Sequence, residues 1–286
     1  MVSIICLCYN HSKFVVEAID SVLAQTYTNI ELIIVDDASD DNSVITINER
    51  IKEVPEIKFI ALDKNVGNCK AFNIGWRVSA GQFIIDLAAD DILMPERVSV
   101  GVARLLKVGS DYGVNFTDAE LIDKEGKIIG RHLTTDFTHD EVPEGFLFRH
   151  LLKKYFINPV TMMYTKPLLE YLEGYDEDLA YEDFDLWVRS SQEFKYCFSD
   201  ELLVRKRILK RSYSRDQYRP GSKILDSTHK VCEKAYELCL SEADFSALKV
   251  RLNYEIKMAI SSINWWVAIK MLKLRGRVKK EIINAQ

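Results

Sequence analysis

Two hydrophobic patterns alternate along the chain. Largely apolar, strand-like runs occupy residues 2–7, 31–35, 57–62 and 83–85. A strand buried on both faces of a parallel sheet reads this way, because neither face meets water. Between the runs, Phe14, Val15, Ile19, Val22 and Leu23 recur at helical spacing, and residues 43–52 and 68–78 read as two further helices. Ser12 is placed to cap the first of them. Strands alternating with helices predict a mostly parallel α/β sheet with right-handed crossovers over the first hundred residues.

After a helix expected at 98–108 the pattern loosens. It gives a strand at 113–117, a hairpin over 121–129 around Lys124, Glu125 and Gly126, an amphipathic helix at 145–155, a short strand at 160–164 and a last one at 196–208. These add antiparallel strands to the sheet. The stretch GYDEDLAYEDFDLWVR, 174–189, is an acidic loop leading into a helix that bears Phe184, Trp187 and Val188. Acids suit a helix start, but there are more here than a cap requires. Residues 210–222, with Arg211, Arg215, Arg219 and Gly221, predict a mobile basic loop, and long helical segments follow from Thr228.

Two of the strands end in paired acids, Asp36–Asp37 and Asp90–Asp91, the second pair closed off by Pro95. Open α/β sheets bind ligands just beyond the carboxyl ends of their strands. Adjacent carboxylates repel and are best tolerated when a cation or ligand hydroxyls stand by them, so FIIDLAADDILMP suggests a divalent ion holding a diphosphate. The first strand is followed by YNHSK, without the glycine-rich turn of a dinucleotide-binding fold, which excludes a dehydrogenase of that kind.

Composition bounds these readings more than it changes them. The chain has 286 residues, 48% hydrophobic and 28% charged, which suits an α/β domain with an appendage. None of the six cysteines forms a CxxC, and they read as buried thiols in a reducing compartment. The start, MVSIICLCYN, has no basic leader and reads as a strand, and no apolar run reaches the length of a membrane span. A cytoplasmic protein is expected. Charge is uneven: from Leu203 onward there are 19 Lys and Arg against 8 Asp and Glu, whereas the net charge of the whole chain is −5. For Trp265 and Trp266 beside the Lys/Arg cluster, three readings stand: helices packed on their own domain, a homodimer contact, or peripheral contact at the inner face of the cell membrane.

In order and spacing, VSIICLCYN, AIDSVLAQTY, ELIIVDDASDDNS, NVGNCKAFNIGWRVSAGQFI, LAADDILMP and GYDEDLAYEDFDLWVR resemble the family 2 glycosyltransferases, inverting enzymes of GT-A fold. The resemblance covers about residues 1–207. It implies a GT-A domain over 1–208, with a nucleotide-binding half at 1–100 and an acceptor-binding half at 101–208, followed by a basic loop and helical extension at 209–286. By the family pattern Asp37 and Tyr9 would face the nucleoside, with Asp36 structural. Asp91 would ligate Mg²⁺ or Mn²⁺ on the donor diphosphate, Asp90 would contact ribose or metal, and Asp183 would be the catalytic base with Glu182 beside it. Asp185, Trp187 and Arg189 would be supports. Ala88 stands where the family often has an acid, and Phe72 where an Arg is common, which leaves Lys70 as the nearby cation. Arg211 and Arg215 would cover the diphosphate. The activity implied is transfer of a sugar from a nucleoside-diphosphate sugar, UDP by family habit, to a glycan or lipid-linked acceptor. The alternative is a GT-A module that binds nucleotide or glycan without catalysis.

Overall fold

The computed structural model of the chain describes residues 1–133, 141–209 and 217–284. The chain forms two compact units. Met1–Gly145, Ile157–Tyr175 and Phe194–Leu209 make the first; Phe146–Phe156, Asp176–Glu193 and Lys210–Gln286 make the second.

The first unit holds the sheet. Its leading strands are β1 (Val2–Cys8), β2 (Ile30–Asp36), β3 (Lys58–Ala61) and β4 (Phe83–Ala88), joined by α1 (Val15–Leu23), α2 (Ser43–Ile51) and α3 (Asn68–Arg77). All seven residues of β1 are buried, as a strand apolar at every position but Ser3 requires. β2 and β4 flank it in parallel, with Leu7 opposite both Val35 and Ala88, so the three strands end at nearly the same level. Ile4, Ile19, Ile34, Ile85, Leu87 and Val98 are fully buried in one core, each contributing about 1.5–3 kcal/mol relative to exposure.

Beyond β4 come β5 (Ile92–Leu93), α4 (Arg97–Val108), β6 (Tyr112–Ile122) and β7 (Ile128–Arg131). α5 (Phe148–Lys153) then passes into the second unit, and β8 (Met163–Thr165), α6 (Lys166–Leu172) and β9 (Lys195–Arg207) complete the first. Among the described residues the sheet runs β3-β2-β1-β4-β8-β6-β9-β5, with β7 on β6. β8 is antiparallel to β4 and β6, while β9 runs parallel to β6. A mostly parallel α/β sheet with antiparallel strands added is what the strand–helix alternation predicts.

Local differences have local causes. The strand expected at 113–117 and the start of the hairpin expected over 121–129 are one strand, β6. The strand expected from 160 begins instead as a 3-10 turn, Pro159–Thr161, in which the Thr161 hydroxyl donates to the Asn158 carbonyl at 2.7 Å. The helix expected from 145 starts later, because Gly145, at φ +89°, exchanges backbone hydrogen bonds of 2.8 and 2.9 Å with Tyr196. Ser12 does not cap α1: the N-cap position is Phe14, and the Ser12 amide donates to Asp41 Oδ2 at 3.1 Å.

The second unit is helical: α5, α7 (Asp183–Ser190), α8 (Lys223–Leu238), α9 (Glu242–Ser261) and α10 (Trp265–Asn284). Arg251 of α9 anchors it. The buried guanidinium donates to the carbonyls of Leu152 (2.9 Å) and Leu151 (3.3 Å), pairs with Glu255 at 3.2 Å and lies 3.8 Å from the centre of the Tyr155 ring. It thereby satisfies carbonyls at the end of α5 that have no partner within that helix. Six cysteines, in both units, are buried free thiols. Among the described residues no helix is long and apolar enough to cross a membrane.

Candidate active site

The loops after β1, β2 and β4 leave the sheet side by side and are tied together. The Asp37 amide donates to the Cys8 carbonyl at 2.8 Å and the Ala89 amide to the Leu7 carbonyl at 2.9 Å, so the ladder continues past the strand ends. The buried Asp36 folds its own loop, its carboxylate accepting from the amide (2.9 Å) and hydroxyl (2.6 Å) of Ser39. Asn10, at φ +59°, accepts from the Asp40 amide and donates its own amide to Ser39, both at 2.9 Å. Tyr9 stands beside them, nearly half exposed.

Asp37 is buried, and its two oxygens accept the amides of Val66 (2.7 Å) and Gly67 (2.9 Å). This links the end of β2 to the turn that opens α3. A carboxylate oxygen has a further lone pair, so Asp37 keeps acceptor capacity toward a ligand. Lys70 is exposed on the first turns of α3. Phe72 points into the core and stacks on Tyr175, with ring centroids 4.0 Å apart and planes at 19°. The next residue, Asn73, is buried and doubly bonded to the Tyr175 backbone, donating to its carbonyl at 2.8 Å and accepting its amide at 2.9 Å. Tyr175 in turn donates its hydroxyl to Asp86 of β4 at 3.0 Å.

Asp90 and Asp91 sit in the turn between β4 and β5. Asp91 is buried, and its Oδ1 accepts the Arg207 amide at 2.8 Å. Burial, then the charge of Asp90, push its carboxyl up to about 8, against the opposing pull of Lys206 and Arg207. The side chain of Arg207 straps the turn from behind: its Nε donates to the Asp90 carbonyl at 3.0 Å, its guanidinium reaches the carbonyls of Asp123 and Lys124, and it pairs with Glu17. On the other side, His11 Nδ1 is buried without a hydrogen-bond partner among the described residues, 3.8 Å from Asp90 Oδ1. Reading the sequence had not singled out Arg207 or His11. The only signal for His11 was its place in the loop after β1; for Arg207 there was only a run of three basic residues.

Glu182 and Asp183 belong to the second unit. Glu182 is the N-cap residue of α7, and Asp183 is the first residue of that helix, half-buried, where the helix dipole favours negative charge. Two residues on, the buried Asp185 accepts from Arg189 and from Lys234 of α8, both at 2.6 Å, and Lys234 also pairs with Asp176. The loop ahead of α7 is held as well, by the Ala180 amide on Ser227 Oγ (2.9 Å) and the Tyr181 hydroxyl on Thr228 Oγ1 (2.8 Å). Trp187 is buried beside Tyr155. Arg211 and Arg215 lie outside the described residues.

Asp90 and Asp91 suit a hard divalent cation. Both offer carboxylate oxygens, side by side in the turn that ends β4. Among the described residues no group of three or more His, Cys, Asp or Glu could hold a metal. Asp90 and Asp91 would be the carboxylates that hold such an ion, with ligand oxygens and water completing the shell.

The glycosyl transferase family 2 model matches residues 3–164. An uncharacterized glycosyltransferase of Rickettsia bellii is 28% identical over 246 residues, 85% of this chain and 34% of its own length. One from Rickettsia prowazekii is 31% identical over 210 residues, 73% of this chain and 64% of its own length. Chondroitin synthase of Escherichia coli is 28% identical over 194 residues, 67% of this chain and 26% of that enzyme. The chain thus spans less than two thirds of these relatives. Among solved structures, Staphylococcus aureus TarS 1–349 with UDP-GlcNAc superposes with a TM-score of 0.72 at 19% identity, over 99% of this chain and 81% of that one. The mannosyltransferase PcManGT of Pyrobaculum calidifontis with GDP-Man and Mn²⁺ gives 0.62 at 16% identity, over 96% and 73%.

Proposed function

The chain belongs to glycosyl transferase family 2, and on that premise we propose that it is an inverting transferase moving a hexose or N-acetylhexosamine from a UDP-sugar to a glycan or lipid-linked acceptor. The observation that carries this reading is the strapped Asp90–Asp91 turn at the end of β4, beside the loops that follow β1 and β2. Tyr9, Asp37 and Lys70 hold the nucleotide, Tyr9 against the base, Asp37 through its remaining lone pairs on ribose or base, and Lys70 on phosphate. Choice of UDP follows family habit and the UDP-GlcNAc bound to TarS. Asp91, with Asp90, holds Mn²⁺ or Mg²⁺, as support for which PcManGT carries Mn²⁺. Such an ion, when bound, stabilises charge on the departing diphosphate.

Asp183 takes the proton of the acceptor hydroxyl, with Glu182 beside it. The acceptor oxygen attacks the anomeric carbon from the face opposite the diphosphate. One C–O bond forms, the other breaks with its electron pair on UDP, and no enzyme-bound sugar intermediate intervenes. Arg207 keeps the Asp90–Asp91 turn in place, and Asp185, Arg189 and Lys234 hold α7.

A panel of nucleotide sugars screened by thermal stabilisation, with and without Mn²⁺, tests the donor site. UDP-sugars are expected to raise the melting temperature with Mn²⁺, and Asp91→Asn to abolish that rise. Asp183→Asn should keep the rise yet lose at least about a hundredfold in transfer. Full turnover by Asp183→Asn removes the base assignment; donor binding by the intact chain with no turnover of any sugar leaves a binding module.

A further inference from the structure

α10 carries two apolar faces. One, with Val267, Met271, Leu274 and Val278, is buried within the second unit. The other is open: Trp265, Ile269, Leu272 and Ile283 are 56%, 46%, 39% and 69% exposed. Their spacing puts them on one stripe along the helix, with Gly276 between. Single exposed apolar side chains are ordinary, but a stripe running the length of a 20-residue helix asks for a partner.

The charges beside the stripe say which partner. α10 has six basic side chains and one acidic one. Lys270 is paired with Asp226, Arg277 with Glu233, and Arg275 with the Asn253 side chain of α9. Lys273, Lys279 and Lys280 are exposed and form no ion pair among the described residues. They flank the stripe on the helix surface.

We propose that this face of α10 lies on an anionic phospholipid bilayer. Trp265, Ile269, Leu272 and Ile283 enter the boundary between headgroups and acyl chains, where tryptophan is favoured, and the three lysines meet lipid phosphates. A second copy of the chain fits less well, since the contact would press one net-positive face against another. Exposed Tyr254 and Val250 on α9, near the Asn253–Arg275 contact, widen the apolar surface. The inference stands apart from the transfer reaction, because lipid contact needs neither donor nor turnover.

The test is co-sedimentation of the whole protein with vesicles of phosphatidylcholine alone or mixed with phosphatidylglycerol, at low and high salt. Binding is expected to the mixed vesicles only and to weaken with salt. Lys273→Gln, Lys279→Gln and Lys280→Gln together should lower it about a hundredfold, and Ile269→Ser with Leu272→Ser about tenfold or more. All five positions are exposed, and an unchanged melting curve confirms that each variant is folded. No binding of the intact chain to phosphatidylglycerol vesicles at low salt overturns the proposal. So does undiminished binding by the triple variant, or stripe variants that split a dimer and leave vesicle binding intact.

Discussion

At Gly174 the backbone takes φ +81°, and a Cβ there would stand 2.4 Å from Asn73 Oδ1. That oxygen is already accepting the Tyr175 amide, so any side chain both strains the backbone and breaks a buried hydrogen bond. Gly174→Ala is expected to cost about 2–4 kcal/mol in urea or thermal unfolding; a loss under about 1 kcal/mol would mean that Asn73 yields freely. The paired acids of the candidate site were legible in sequence because they are neighbours at a strand tip. Arg207 was not. In the run Arg205-Lys206-Arg207 the three side chains go to Glu120, to Asn158 and to the Asp90–Asp91 turn, and only the register of β9 on β6 decides which goes where. The Phe72 position had a similar difficulty: its ring faces inward onto Tyr175, a contact 103 positions away that spacing alone cannot reveal.

The elements most clearly written in the sequence are β1, β2, β4 and the helices between them, where one period runs unbroken. Short pieces were harder. α6 escaped notice, because seven residues beginning Lys166-Pro167 hold too few turns for a periodicity to register. α9 begins on a device that can be measured. Ser241 accepts the Asp244 amide at 3.3 Å while Asp244 accepts the Leu240 amide at 3.2 Å and the Ser241 hydroxyl at 2.7 Å, and Arg149 pairs with the same carboxylate. Ser241→Ala should cost about 1 kcal/mol. Burial disfavours the charged Asp244, but Arg149 and Ser241 outweigh it and hold the carboxyl below its ordinary range. Its contribution is therefore present at neutral pH and above the unfolded value, and is lost as pH falls through the lowered folded value. Chemical denaturation of Asp244→Asn beside the natural chain should show a gap at pH 7 that closes in acid; a gap independent of pH would contradict the assignment.

For the molecule as a whole, the way residues 146–156 and 176–193 gather with the tail could not be read from sequence, since such grouping rests on contacts between residues far apart along the chain. The six buried thiols give a handle on each unit by itself. Cys6, Cys8, Cys69 and Cys197 lie in the first, Cys232 and Cys239 in the second. Burial pushes Cys8 up to about 12, Cys197 to about 11 and Cys239 to about 12, and raises Cys6 and Cys232 as well. A thiol without its thiolate is a poor nucleophile, so an alkylating reagent should modify the native protein on the order of a thousandfold more slowly than free cysteine. Peptide mapping by mass spectrometry checks this, and a cysteine that reacts at the free rate would show that its site is open. These residues, laid down as small packing pieces, thus act as timers: the rate at which each is captured records how often its own unit comes apart.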